Sequence, residues 1–210
     1  MKRIVTLISV LVLITWAVEL RSGFGQRQLP NYQGGSSGTP PLVMQGGDPY
    51  IRALMRTIAA SEANDSQPYT LLYGGKRIRD MSRHPEHCVT IVAGPNKGNC
   101  TTAAGRYQFI NTTWHEKARR YHPGPSGFWF WKNYSFEAQY QDAVVYAWLS
   151  DPQAWGIDIS QKLQQGKLDE VLRKLSGTWT SLGYGIEDNV VTKKLPKIYQ
   201  RLLKEELQGT

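Results

Sequence analysis

The sequence predicts an α+β fold that is mainly α-helical, with a first helix and a small antiparallel sheet followed by a helical bundle. Beyond residue 105, apolar residues recur at steps of three and four, which is typical of one face of a helix. Only residues 69–92 contain short β-branched and aromatic runs broken by glycine and proline, which favours short strands.

Length and composition limit the classes of protein to consider. With 210 residues, 40% of them hydrophobic, the chain can form one well-packed domain with appendages. The net charge of +8 indicates a surface that attracts polyanions, but the sequence has no nucleic-acid module and no dense basic run with interleaved aromatic residues. We therefore exclude nucleic acid as a partner. The 7 Trp and 11 Tyr residues suggest that some aromatic side chains line a cleft, where they would stack on sugar rings.

The N-terminus resembles an export signal. Lys2 and Arg3 precede an apolar run from Ile4 to Val18, which is shorter than the roughly 20 residues of a membrane-spanning helix. Because Glu19 interrupts the expected cleavage pattern, residues 1–25 are interpreted either as a cleaved signal peptide or as an uncleaved membrane anchor. Both alternatives place the working domain outside the cytoplasm, in the periplasm, the cell wall or the medium.

A flexible linker is expected between this leader and the domain. Residues 26–47 are rich in Gly, Ser, Gln and Pro, and they bury too little apolar surface to offset the entropy of ordering. The catalytic domain is accordingly expected to span residues 48–210.

The first helix carries the most informative residue. Asp48 is a good N-cap, and Pro49 suits the first helical position. Glu62 lies four residues after Ile58, at the end of the apolar face formed by Ile51, Leu54, Met55, Ile58 and Ala59. A carboxyl group at the end of a core face is partly desolvated, which favours its neutral form and lets it donate a proton. The alternative is a solvated residue at the end of the helix.

Four further helices are predicted after the sheet. The first is capped by Asn111 or Thr112 and ends at Tyr121, and the second is capped by Ser135. Apolar spacing marks the third within residues 168–175 and the fourth within residues 190–203, where Pro196 is expected to bend the helix. The aromatic run Phe128–Trp131 between the first two is expected either to cover a cleft or to plug the core.

Two cysteines agree with export. Cys88 and Cys100 are close enough in sequence to form a disulfide in an oxidising compartment. The competing interpretation is a metal site with His84 and His87, but these residues lack a standard zinc spacing. We expect a disulfide and no metal.

Five sequence blocks together resemble the lambda-type phage endolysins over about residues 50–205. In order, they are Ser61-Glu62, Asp80 with His84-Pro85, Ala104-Gly105-Arg106-Tyr107-Gln108, Gln141-Asp142-Ala143-Val144, and Trp179-Thr180-Ser181-Leu182 followed by Gly183-Tyr184-Gly185. The resemblance implies a lysozyme-like fold and a lytic transglycosylase of peptidoglycan with Glu62 as its catalytic acid. It also implies a sugar-binding cleft lined by Asp80, Tyr107, Gln108, Trp179 and Tyr184. The leader, the linker, the two cysteines and the Phe128–Trp131 run depart from the phage pattern.

The chemistry implied by the resemblance needs one carboxyl group. Glu62 would cleave the bond between N-acetylmuramic acid and N-acetylglucosamine and leave a 1,6-anhydromuramyl end, without a cofactor. A hydrolysing muramidase would need a second carboxylate, for which Asp65 or Asp80 is the candidate. A non-catalytic wall-binding module would keep the aromatic residues and the basic charge without depending on Glu62. In each case the partner is peptidoglycan, and we expect a monomer.

Overall fold

Helices are the main regular element of the domain in the computed structural model, which describes residues 39–92, 96–125, 133–184 and 191–209. The helices are α1 (Pro49–Glu62), α2 (Asn111–Tyr121), α3 (Ala138–Leu149), α4 (Pro152–Trp155), α5 (Ile159–Gln164), α6 (Leu168–Leu175) and α7 (Leu195–Gln208). Short 3-10 turns are Pro68–Thr70, Thr180–Leu182 and Thr192–Lys194, and the strands are β1 (Val89–Thr90) and β2 (Cys100–Thr101). The predicted mainly helical α+β class is confirmed.

The first helix lies at the centre of the domain. It begins as predicted, because Asp48 Oδ1 accepts a hydrogen bond of 2.8 Å from the Tyr50 amide and Pro49 occupies the first turn. It is buried on more than the predicted apolar face, since it packs against α3, α5 and α7, most extensively against α7. Glu62, its last residue, therefore lies where a buried helix reaches the surface.

The sheet is smaller and lies later in the chain than predicted. β1 and β2 form an antiparallel hairpin in which Val89 pairs with Thr101 and Thr90 with Cys100. The expected first strand around residues 69–73 forms instead the 3-10 turn Pro68–Thr70 and isolated bridges such as Leu72 to Ala104. Gly74 and Gly75 have positive φ angles of 82° and 92°, so the chain turns back before a longer strand can form.

Several helix ends also differ from the prediction. The residue preceding α2 is Ile110, which makes no side-chain cap, and Asn111 is already helical. α3 begins at Ala138, because Ser135 Oγ accepts from the Glu137 amide at 3.3 Å and closes a turn before the helix. Pro196 lies in the first turn of α7, where proline starts a helix and breaks no hydrogen bond within it, and not in the helix interior as predicted. Helices α4 and α5 were not predicted.

Residues 39–47, expected as the end of the linker, pack against the domain; we call them the N-terminal segment. Leu42 is buried, and the amides of Val43 and Met44 donate hydrogen bonds of 2.8 and 3.2 Å to Asp142 Oδ2. Arg106 Nη2 donates to the Pro40 carbonyl at 2.6 Å. The composition of the segment does not predict these contacts. Side chains far along the chain satisfy its backbone hydrogen-bonding groups, so it is ordered without a hydrophobic core of its own.

Arg106 and Asp142 form a buried polar centre beneath this segment. Both residues have a relative exposure of 0%. Asp142 also accepts from the hydroxyls of Tyr69 and Tyr107, each at 2.7 Å, so four donors surround the carboxylate. Burial raises the pKa of Asp142, and the Arg106 charge and the tyrosine hydroxyls oppose this shift. A buried group with this many partners fixes the arrangement of the elements that supply them.

The predicted disulfide is present, and it closes the β-hairpin. Cys88 and Cys100 are bonded to each other with a sequence separation of 12. Closing a loop of this size contributes about 3 kcal/mol on the chain-entropy model. We expect the reduced protein to unfold at a lower urea concentration than the oxidised protein, as followed by tryptophan fluorescence. Identical unfolding midpoints for the two forms would contradict this expectation.

Other sequence-based predictions concern residues outside the described ranges. They include the leader, residues 26–38 of the linker and the aromatic run Phe128–Trp131. Within the part of the chain that the structure describes, no helix is long and apolar enough to cross a membrane.

Candidate active site

Glu62 lies at the C-terminal end of α1 and contacts the 3-10 turn Thr180–Leu182. Ser181 Oγ donates a hydrogen bond of 2.5 Å to Glu62 Oε1. The glutamate is partly exposed, whereas Ser181 is buried. The predicted semi-desolvated position at the end of the core face is therefore the position that the structure gives to Glu62. A hydroxyl with a fixed location orients this carboxyl group.

The block Gly105 to Gln108 forms a tight turn whose backbone depends on glycine. Gly105 has a φ of +75°, and a Cβ atom added there would lie 2.3 Å from Gln141 Oε1 and 2.7 Å from the Phe136 ring. Gln141 Oε1 accepts from the Arg106 amide at 2.9 Å, and its Nε2 donates to the carbonyls of Tyr69 and Phe136. The Gln141 side chain thus holds the turn through three hydrogen bonds, and any side chain at position 105 would displace Gln141.

Two of the predicted cleft residues are buried. Tyr107 has 1% of its surface exposed, and its hydroxyl donates to Asp142. Trp179 has 3% exposed, and its Nε1 donates to the Tyr107 carbonyl at 3.1 Å. Trp179 also packs against the rings of Phe109, Trp148 and Trp155. In this structure both residues belong to the core, so the predicted contact with sugar is not available to them.

Gln108 and Tyr184 are placed differently, because both are partly exposed and both have a positive φ angle. The values are 46° and 62°, in a region that side-chain-bearing residues seldom adopt. Gln108 Nε2 donates to the Gly105 carbonyl at 2.9 Å, and the Tyr184 hydroxyl donates to Asp169 Oδ1 at 2.7 Å. Their partial exposure leaves both side chains open to solvent, and contact of these two residues with sugar stays a prediction.

The two candidates for a second carboxylate are both engaged elsewhere. Arg77 Nη2 donates to both oxygens of Asp65, at 2.8 and 2.9 Å. Partial burial raises the pKa of Asp65, but the Gln67 amide and Arg77 outweigh it, so the net shift is downward. Asp80 is exposed, and the hydrogen bond from the Ser82 amide lowers its pKa. Each carboxylate therefore stabilises its own loop.

Sequence reasoning missed the supporting residues. The five sequence blocks contain Ser181, Gln141 and Asp142, but the sequence alone assigns no role to these residues. The available signal was the adjacency of Gln141 to Asp142 on one helix, because two neighbouring polar residues in an apolar helix must reach different partners. The contact between Ser181 and Glu62 joins residues 119 positions apart, and no local pattern predicts it.

His84 is buried and does not take part in the alternative metal site. Its Nε2 is 2.8 Å from the Phe109 carbonyl oxygen, and its Nδ1 accepts from the Glu86 amide at 3.1 Å. These contacts specify a neutral ring that donates through Nε2. Since Cys88 and Cys100 are bonded to each other, the proposed ligand set does not form. Across the described residues, no cluster of three or more His, Cys, Asp or Glu side chains could hold a metal ion.

Burial of His84 makes the stability of the domain depend on pH. Desolvation lowers the pKa of His84, and it lowers the pKa of the buried His122 as well. Below the unfolded-state pKa of about 6.5 the unfolded chain binds protons that the folded chain does not, so stability falls as the pH falls. We expect a lower urea midpoint at pH ~5.5 than at pH ~7.5. Equal urea midpoints at the two pH values would refute this. So would NMR titrations in which the imidazole pKa values of His84 and His122 in the folded protein lie above the unfolded-state value.

The sequence profile of the family described as Endolysin matches residues 52–204, which is most of the chain. The chain belongs to the endolysin family. A comparison with curated protein sequences finds no match.

Two solved structures share the fold of this endolysin. Bacteriophage lambda lysozyme complexed with a chitohexasaccharide aligns with a TM-score of 0.56 and 24% sequence identity, covering 76% of this chain and 97% of that chain. A second structure of lysozyme from bacteriophage lambda aligns with a TM-score of 0.54 and 22% identity, covering 78% and 97%. At these identities the likeness establishes the lysozyme-like fold. Together with the family match it identifies the endolysin as a lysozyme-like enzyme that degrades peptidoglycan.

Proposed function

We propose that this endolysin is an exported lytic transglycosylase that cleaves the β-1,4 bond between N-acetylmuramic acid and N-acetylglucosamine, with Glu62 as the single acid and base. The proposal rests on the contacts that Glu62, Asp65 and Asp80 make. Glu62 is partly buried and oriented by Ser181, whereas Asp65 is held by Arg77 and Asp80 by the Ser82 amide. Hydrolytic glycosidases need a second carboxyl group beside the scissile bond, and both candidate aspartates already hold partners within their own loops.

The reaction balances with one carboxyl group. Protonated Glu62 gives its proton to the glycosidic oxygen, and the bond from that oxygen to C1 of the muramyl residue breaks. The substrate's own N-acetyl group supports the positive charge that develops at C1. The Glu62 carboxylate then takes the proton from the C6 hydroxyl as that oxygen bonds to C1. Glu62 ends protonated again, and no water is consumed.

The glycan would lie across the end of α1, with the neighbouring turns supplying contacts. Gln108 and Tyr184 are partly exposed, and their side chains can face sugar hydroxyls and N-acetyl groups. The chitohexasaccharide in the lambda lysozyme structure is a glycan bound by a protein of the same fold. This supports a glycan substrate for the present chain.

Export is supported by the leader and by the disulfide. Residues 1–25 have the charge and apolar run of a secretory signal or anchor, and disulfides persist in oxidising compartments outside the cytoplasm. The substrate also lies outside the cytoplasmic membrane. We therefore propose that the enzyme acts in the periplasm, at the cell wall or in the medium.

The chemistry can be tested by mass spectrometry of peptidoglycan digested with the purified protein. Transglycosylation gives muropeptides that end in 1,6-anhydromuramic acid and resist borohydride reduction. Hydrolysis adds one water, so products about 18 mass units heavier and reducible by borohydride would reject the single-carboxyl mechanism. Intact peptidoglycan after incubation with folded protein would favour a wall-binding module.

Ser181 provides a prediction about how Glu62 is held. We expect Ser181→Ala to lower kcat by roughly 10-fold with little change in KM, because this hydrogen bond strengthens as Glu62 gives up its proton. Hydrogen bonds to charged groups contribute about 1.5–3 kcal/mol. The measurement is the initial rate of muropeptide release over a range of substrate concentrations. Thr180→Ala in the same 3-10 turn is the matched control. Equal rates for the two variants would show that Ser181 does not position Glu62.

A further inference from the structure

The surface of α7 carries an unusual concentration of positive charge. Five exposed cations lie between residues 193 and 204, and this stretch contains no Asp or Glu. We call them the basic face, which consists of Lys193, Lys194, Lys197, Arg201 and Lys204.

These cations lie on one side of the helix. Lys197, Arg201 and Lys204 follow each other at steps of four and three, so their side chains emerge from the same face of α7. Lys193 and Lys194 continue the face into the preceding 3-10 turn. The opposite side of α7 is buried through Leu195, Tyr199, Leu202 and Glu206. The helix therefore presents charge outward along its length while its other side packs on α1.

The carboxylates at the end of α7 do little to neutralise the basic face. Glu206 pairs with Arg52 at 2.6 Å and with Arg56 at 2.9 Å, and both arginines belong to α1. Glu205 pairs with Arg56 at 2.6 Å, and its other oxygen is 3.9 Å from Arg201. That contact is loose and solvent-exposed, so it screens the charge of Arg201 only weakly.

The start of the described chain lies beside the same helix. Arg56, which pairs with both glutamates at the end of α7, also donates to the Thr39 carbonyl at 3.2 Å. The residues before Thr39 contain the apolar run Ile4–Val18, flanked by Lys2 and Arg3. A chain that attaches its N-terminus to a bilayer would thus have its attachment enter the domain at the C-terminal end of α7, the end at which Lys204 closes the basic face.

We propose that the basic face of α7 docks on an anionic phospholipid surface. Charge complementarity identifies the partner, because juxtamembrane lysines and arginines bind acidic headgroups and each contributes about fivefold to partitioning. The entry of the N-terminal chain at the C-terminal end of α7, where Lys204 lies, favours a bilayer over an acidic wall polymer. The surface lies outside the residues assigned to glycan cleavage, so docking and cleavage can be measured separately.

Vesicle sedimentation with the full chain tests this docking. The variant is Lys193→Gln/Lys197→Gln/Lys204→Gln, and the control is Lys76→Gln/Lys167→Gln/Lys174→Gln, which removes equal charge from exposed sites elsewhere. On phosphatidylcholine vesicles with about 30% phosphatidylglycerol, the basic-face variant should bind roughly 100-fold more weakly than wild type. The control should lose less than about threefold, and both should cleave isolated peptidoglycan fragments normally.

Three outcomes would overturn the proposal. The basic-face variant could keep its preference for anionic over neutral vesicles. Both variants could lose it equally, which would indicate a non-specific effect of net charge. The basic-face variant could keep vesicle binding but lose binding to an isolated acidic wall polymer, which would identify that polymer as the partner.

Discussion

Replacing Glu62 by glutamine is expected to abolish glycan cleavage while leaving the fold intact. The amide is nearly isosteric with the carboxyl group and can still accept a hydrogen bond from Ser181 through its oxygen. It cannot supply the proton or take it back, so we expect a loss of roughly 10³-fold or more, because both roles reside on one residue. The measurement is the rate of anhydromuropeptide release, with the urea unfolding midpoint as the test of folding.

The matched control for this variant is Asp65→Asn. Its carboxylate is committed to Arg77, and the single-carboxyl mechanism gives it no part in the reaction. We expect it to keep most of the wild-type rate. Near-normal activity of a folded Glu62→Gln protein would reject the mechanism outright. A loss in Asp65→Asn as large as in Glu62→Gln would restore the two-carboxylate alternative.

Replacing Asp142 by asparagine is expected to give the largest loss of stability. The buried guanidinium of Arg106 would lose its compensating charge, and the two tyrosine hydroxyls and two backbone amides would lose a strong acceptor. Arg106 and Asp142 are linked through the Tyr69 hydroxyl, which bonds to both. Removing one of two coupled buried charges costs about 3–5 kcal/mol, a large part of the 5–15 kcal/mol that stabilises a typical domain. Urea unfolding followed by fluorescence measures this free energy.

Asp80→Asn serves as the control for Asp142→Asn. Asp80 is exposed and receives its hydrogen bond from the Ser82 amide, which an asparagine oxygen can also accept. We expect its free energy of unfolding to stay within about 0.5 kcal/mol of wild type. If Asp142→Asn were equally mild, the buried carboxyl group would not be balancing the charge of Arg106.

The sequence predicts those parts of the fold that depend on local periodicity. The first helix and its cap were foreseen because Asp48, Pro49 and the apolar spacing act within a few residues of each other. The extent of the sheet was overestimated, because β-branched runs indicate only a preference for strands. The turn at Gly74 and Gly75 ends the extended segment before a longer strand can form. α4 and α5 were missed even though Asp151 and Asp158 cap them, since each helix is too short for a periodic pattern to emerge.

Likewise, the sequence predicts the residues of the candidate site only where their positions follow from local spacing. Glu62 could be located because its position on α1 follows from helical spacing. Tyr107 and Trp179 were misplaced because a motif shows which residues occur together, without showing whether a side chain points into the cleft or into the core. The packing of the N-terminal segment could not be foreseen, because it depends on pairings between residues about 65 to 100 positions apart.

If the leader stays in a membrane, the attachment of residues 40–44 to Arg106 and Asp142 would determine how the enzyme bears load. An enzyme that is held by its N-terminus and grips a stiff glycan network is stretched between the two. That tension would enter the domain at the hydrogen bonds from Arg106 and to Asp142, next in sequence to the Gly105 turn and to Gln141. Because several hydrogen bonds share the force, the N-terminal segment and the Gly105 turn would resist it together.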